Sequence, residues 1–119
     1  MTLSRVIPLP VHAAVELATG VALMASPFVF AFGPAGMISA IVLGAALVGL
    51  ALTVADSGER GSLPLRAHHA YDFGLALSIG LGAVALGIAG DPIAFGVLAV
   101  VALVEVLLTT NTRYSPIRA

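Results

Sequence analysis

The chain has no cysteine, no tryptophan and no lysine, and only 9% of its 119 residues are charged. Without cysteine there is no disulfide scaffold and no thiolate metal centre. Five arginines are the only permanent cations and the net charge is −1, so a nucleic-acid-binding surface is excluded as well. A soluble domain carries roughly a quarter charged residues; this chain could not cover a globule with what it has. In their place stand 60% hydrophobic residues and a mean hydropathy of +1.11, which also exclude disorder. What remains is a single integral membrane domain over residues 1–119, in contact with membrane lipids and not with nucleic acid.

Between Arg5 and Asp56 only His12 and Glu16 can ionise. That stretch is too long for one span, because a bilayer core needs about 20 helical residues. Gly33-Pro34 divides it, and Gly90-Asp91-Pro92 divides the second half in the same way. The expected spans are 10–32, 34–54, 64–89 and 92–110. Each opens at a proline (Pro10, Pro34, Pro64, Pro92), where the missing N–H costs nothing and the fixed φ is already helical. The apolar runs are continuous and do not alternate, so a β-barrel is excluded and lipid enforces helices. The predicted fold is therefore all-α, a four-helix transmembrane bundle.

Arg5, Arg60, Arg66, Arg113 and Arg118 fall before the first span, between the second and third, or after the fourth. Those regions share one face, which the positive-inside rule makes cytoplasmic. Both termini are then cytoplasmic, in a bacterial-type inner membrane. A cleaved signal peptide is the competing reading of the N-terminus, but Glu16 would interrupt its apolar core.

The two halves repeat a plan. Leu9-Pro10 with His12 and Glu16 is echoed by Leu63-Pro64 with His68 and Asp72, and each half ends near threonine (Thr53; Thr109 and Thr110). Two related two-helix repeats in one orientation imply an axis along the membrane normal. Over Gly20 to Phe28 the first half resembles the SPW-repeat family, small bacterial membrane proteins with a Ser-Pro-aromatic motif in the first helix of each repeat. Here the motif is Ser26-Pro27-Phe28, with Phe28 where the family usually has tryptophan; the second half has Gly82-Ala83-Val84 instead. The resemblance implies a four-helix inner-membrane protein and nothing catalytic. Pro27 itself should kink or end the first helix by crowding the carbonyl of Leu23, with Ser26 a local partner for the freed group. This bend is a packing feature or a hinge.

Small residues let membrane helices approach closely. Candidate ridges are Ala14, Ala18, Ala22 and Ser26 in the first helix, Gly36, Ala40 and Gly44 in the second, and Gly74, Ser78 and Gly82 in the third. They predict a slim bundle without a wide channel, and they would also serve homo-oligomerisation or docking in a larger membrane complex.

Six ionisable residues lie inside the spans near one end: His12, Glu16, His68, His69, Asp72 and Glu105. A charged side chain at mid-membrane costs about 2.5–3.5 kcal/mol on insertion scales, so these should face inward. The i, i+4 spacing sets His12 beside Glu16 and His68 beside Asp72. The plainest reading is a polar network that pins helix register in a structural or accessory protein, not an enzyme, acting through helix–helix contacts. The alternatives are a divalent metal such as Zn²⁺ or Mn²⁺ on the imidazoles and carboxylates, haem b between two histidines, and proton relay. Asp91 should cap the fourth helix.

Overall fold

The computed structural model describes residues 6–55 and 64–114. The loop from Asp56 to Ser62 lies outside them, as do Arg5 and Arg118. Four helices make up the described residues: α1 (Leu9–Val29), α2 (Pro34–Ala55), α3 (Leu65–Ile88) and α4 (Pro92–Asn111). All four are long and apolar enough to cross a bilayer. Residues turned to the outside, such as Ile38, Leu77, Leu81 and Leu103, are large and apolar, as a hydrocarbon solvent requires.

The prolines start the helices as their chemistry demands. Pro34 and Pro92 open α2 and α4, Pro10 sits in the first turn of α1, and Pro64 is the N-cap of α3. Asp91 caps α4, its Oδ1 accepting the Ala94 N–H at 3.1 Å. The end of α3 is a Schellman turn. Gly90, at φ +91°, lets its N–H reach the Gly87 carbonyl while Asp91 N–H reaches Leu86.

Helix α1 ends at Val29, three residues before the boundary expected from hydropathy, and it runs through Pro27 rather than stopping there. The Leu23 carbonyl that Pro27 cannot serve accepts the Ser26 hydroxyl at 2.7 Å. With that group satisfied, the chain completes half a turn more before Phe30 turns extended.

Packing is closest within two hairpins, α1 with α2 and α3 with α4, and sparser between them. The α1–α2 crossing is at Gly20 and Gly44: a Cβ on Gly44 would lie 2.7 Å from the Gly20 carbonyl oxygen, and one on Gly20 would lie 2.8 Å from that of Gly44. Gly36 and Ala40 are also contact positions, Ala40 with no exposure.

The expected ridge on α1 is not the packing face. Ala14, Ala18 and Ala22 face outward, and the buried stripe is His12, Ala13, Glu16, Gly20, Leu23, Ser26 and Pro27. Two ionisable residues set the phase: turning Ala14 and Ala18 inward would have turned Glu16 into lipid. On α3, likewise, Gly74 and Ser78 face outward, and of the three expected ridge positions Gly82 alone meets neighbouring helices, at Leu98 and Leu43.

The two ends of the bundle are tied differently. At one, Asp91 Oδ2 accepts the Gly33 N–H at 2.8 Å, joining the two hairpin turns. At the other, Ile7 pairs with Thr112 in an isolated parallel bridge, Ile7 N–H to Asn111 and Arg113 N–H to Ile7, both at 2.9 Å. The segments flanking the bundle at its two chain ends therefore meet. Between the ends runs an apolar core that includes Leu23, Leu47, Ile79, Leu86 and Leu98.

Candidate metal centre

At the end where Ile7 meets Thr112, four ionisable side chains from two helices converge. His12 and Glu16 come from α1, His68 and Asp72 from α3, and none is more than 1% exposed. One ligand atom from each lies within 4.8 Å of the others. His12 Nε2 is 3.0 Å from Asp72 Oδ2 and 3.5 Å from Glu16 Oε2; His68 Nε2 is 3.5 Å from Asp72 Oδ2 and 3.6 Å from Glu16 Oε1. Each imidazole thus faces both carboxylates, and each carboxylate both imidazoles.

These distances are not hydrogen bonds. Both Nε2 atoms, both Glu16 oxygens and Asp72 Oδ1 are buried without a hydrogen-bond partner. The atoms aim at a shared centre and not along one another's bond axes. A tetrahedral ion with ligands ~2.1 Å away holds neighbouring ligand atoms ~3.4 Å apart, close to the four contacts above.

The other face of each ring is fixed. His68 Nδ1 lies 3.1 Å from Thr53 Oγ1, and His12 Nδ1 lies 2.8 Å from Thr112 Oγ1. Both hydroxyls have committed their own hydrogens to helix carbonyls, Thr53 to Leu50 at 2.6 Å and Thr112 to Leu108 at 2.5 Å. Each threonine can therefore only accept, so each Nδ1 carries a hydrogen. A neutral histidine then offers a bare lone pair at Nε2, facing carboxylate lone pairs. Such an arrangement repels itself unless a cation stands between, either protons on the rings or a metal ion. Two neutral imidazoles, two carboxylates and a divalent ion sum to zero charge, as do two imidazoliums and two carboxylates. Locking the distal N–H of a ligating histidine is what second-shell partners do in metal sites.

Tyr114, beyond α4, closes the centre. Its hydroxyl donates to Asp72 Oδ2 at 2.5 Å, and its ring lies edge-on to His12 at a centroid distance of 5.5 Å. Burial, reinforced by that hydrogen bond, pushes the phenol's pKa up, so it stays a donor. Leu9, Ala13 and Val54 pack with Leu65 and Tyr114 beside the centre.

Of the six residues singled out in the sequence, the structure brings His12, Glu16, His68 and Asp72 together. Glu105, on α4, is fully buried, with both oxygens lacking a hydrogen-bond partner, and it is not among the four residues whose ligand atoms converge. His69 is turned out of the group: one position past His68 on the helix, it stacks on Tyr114 at 4.3 Å and leans on Phe73. Sequence reasoning missed Thr53, Thr112 and Tyr114. The echo of threonines at the ends of α2 and α4 was the available signal for the first two; Tyr114 had none, because only the Ile7–Thr112 bridge carries the chain back over the site. Comparison with protein-family models, curated proteins and solved structures finds no match to this chain.

Proposed function

We propose that this is a metal-holding membrane protein, with one divalent first-row ion bound by His12, Glu16, His68 and Asp72. The observation that carries the reading is the convergence of fully buried ligand atoms that make no hydrogen bond, on imidazoles whose Nδ1 atoms are held by threonine hydroxyls. Leaving such groups unsatisfied costs about 1–3 kcal/mol each, and a single ion would satisfy most of them. Mixed imidazole and carboxylate donors suit Zn²⁺, Mn²⁺ or Fe²⁺.

The role is structural before it is chemical. The ligands come in equal shares from two hairpins that otherwise touch sparsely, so the ion bolts them together. Haem fits poorly, because both Nε2 atoms face carboxylates a few ångströms away. Proton transfer across the bilayer lacks a path: among the described residues no ionisable side chain lies between this cluster and Asp91 at the far end, and apolar side chains fill the interval.

Further parts of the proposal are a bacterial-type inner-membrane location with both termini cytoplasmic, supported by the arginine distribution, and an origin as a repeated helix pair related to the SPW-repeat family, supported by Ser26-Pro27-Phe28. Self-association or docking in a larger complex is supported by the outward ridge of Gly74 and Ser78. Elemental analysis of detergent-purified protein tests the central claim. The expected result is one equivalent of metal per chain, lost on changing His68 and Asp72 together to alanine. A wild type free of metal even after loading with Zn²⁺, Mn²⁺ and Fe²⁺, paired with a variant that is merely less heat-stable, would leave only a buried ionic network.

A further inference from the structure

The four side chains of the cluster are buried, so no ion reaches or leaves them while every segment stays in place. Along the bundle axis the way is filled by the apolar core, with Leu23, Leu47 and Ile79. On the α2–α3 flank a cleft runs past Gly49, Leu50, Thr53 and Tyr71. Thr53 has already spent its hydroxyl hydrogen on Leu50 and faces His68 Nδ1 with its oxygen. Neither direction offers a divalent ion a substitute for its water, and desolvating a charge without one is prohibitive. The bundle end is different. There the cover is three residues long and lies beyond the last turn of α4. Thr112 Oγ1 sits 2.8 Å from His12 Nδ1, and the Tyr114 hydroxyl donates to Asp72 Oδ2 at 2.5 Å, so this segment is fastened to one ligand of each hairpin. Arg113 between them is exposed and Tyr114 half-buried. Two backbone bonds to Ile7, each 2.9 Å, hold the segment down. Lifting it breaks a handful of hydrogen bonds, whereas parting the helices uncovers a core, and local opening follows the cheaper course.

We propose that residues 112–114 are a lid over the metal centre, with the Tyr114 hydroxyl as its latch, and that ions enter and leave at this end of the bundle when the segment lifts. This inference rests on the metal reading of the preceding subsection. The latch closes on a ligand oxygen: Asp72 Oδ2 is also the atom 3.0 Å from His12 Nε2 and 3.5 Å from His68 Nε2. Seating the lid therefore covers the centre and fixes one of its carboxylates together. Such a lid governs rates more than affinity. Opening precedes both entry and exit, so a change that loosens the latch alike in the loaded and empty chain speeds both and leaves their ratio unchanged.

The test follows uptake and release of Zn²⁺, Mn²⁺ and Fe²⁺ by the full chain in detergent, by stopped flow against a chromophoric chelator. Tyr114→Phe removes the latch and keeps the ring; Tyr114→Ala removes both. Both rates should rise about tenfold or more in Tyr114→Phe, the scale of one hydrogen bond to a charged acceptor, while Kd changes less than about threefold. Tyr114→Ala should be faster still. Fastening the lid should do the opposite. The chain has no cysteine, so Val6→Cys with Arg113→Cys places a single thiol pair on exposed residues that flank the Ile7–Thr112 bridge. A short bismaleimide joining them should slow both rates at least about tenfold against the unlinked double variant, because a cross-link removes open conformations. Rates unmoved by the tyrosine changes and by the cross-link overturn the lid and leave the four-ligand site standing. A weaker Kd with an unchanged uptake rate also overturns it, since Tyr114 would then only orient Asp72. A wild type that takes up none of the three ions overturns the metal reading and the lid with it.

Discussion

Replacing Thr53 with valine tests the tautomer argument at a residue that would never touch the metal. Valine matches threonine in shape, and the Leu50 carbonyl that loses the hydroxyl keeps its place in the α2 ladder. What disappears is the acceptor 3.1 Å from His68 Nδ1. Without metal the ring has an escape: it can shift its hydrogen to Nε2 and donate to Asp72 or Glu16, 3.5 and 3.6 Å away. With metal bound, Nε2 is occupied and the buried Nδ1–H is left without an acceptor. The penalty therefore falls mainly on the loaded state and is read as affinity. Outer-sphere partners of this kind are worth about 10–100-fold, or about 1.4–2.7 kcal/mol. Metal binding measured by chelator competition should weaken by that factor in Thr53→Val and by less than about threefold in Thr53→Ser, which retains the acceptor. Wild-type affinity in the valine variant, or equal losses in both, would refute the claim that the hydroxyl fixes the ligating form of the ring.

Two further outcomes follow from the packing. Gly44→Ala should destabilise the bundle by about 1–3 kcal/mol, because its Cβ would meet the Gly20 carbonyl at 2.7 Å and the Met24 amide nitrogen at 2.9 Å. Gly74→Ala, with nothing within 4 Å, should be neutral or stabilising, by up to about 1 kcal/mol of helix propensity; equilibrium unfolding in detergent distinguishes the two. Asp91→Ala removes both the α4 cap and the tie to Gly33, and should cost about 0.5–2 kcal/mol with no effect on metal content, measured by the same unfolding assay and elemental analysis.

Much of the fold could be read before any coordinates because lipid leaves few options. Prolines at the starts of four apolar runs marked the helices, and Ser26 stood where Leu23 would need it. The errors came from treating helices one at a time. Spacing alone made Ala14, Ala18 and Ala22 an attractive seam, yet the face of α1 was decided by His12 and Glu16, whose exposure to lipid is the costlier alternative. Hydropathy carried α1 on to Phe32 because phenylalanines are as apolar outside a helix as within it. The depth and pairing of His12, Glu16, His68 and Asp72 were legible from the i, i+4 rule. His69 was not separable from His68 until the helix phase was known, since adjacent residues point about 100° apart. The threonines that orient the rings, and Tyr114 folded over them, depend on contacts between segments more than a dozen residues apart, and no local pattern reports those.

The even division of ligands between the hairpins has a consequence for assembly. Neither α1–α2 nor α3–α4 brings more than one imidazole and one carboxylate to the four-residue cluster, so neither can retain an ion with any tenacity before the other arrives. If the proposed ion is bound, its capture and the mating of the halves would become one event, and an occupied centre would certify a correctly joined chain. A newly inserted molecule starved of metal would linger as two loosely apposed hairpins, open to whatever quality control patrols the bilayer.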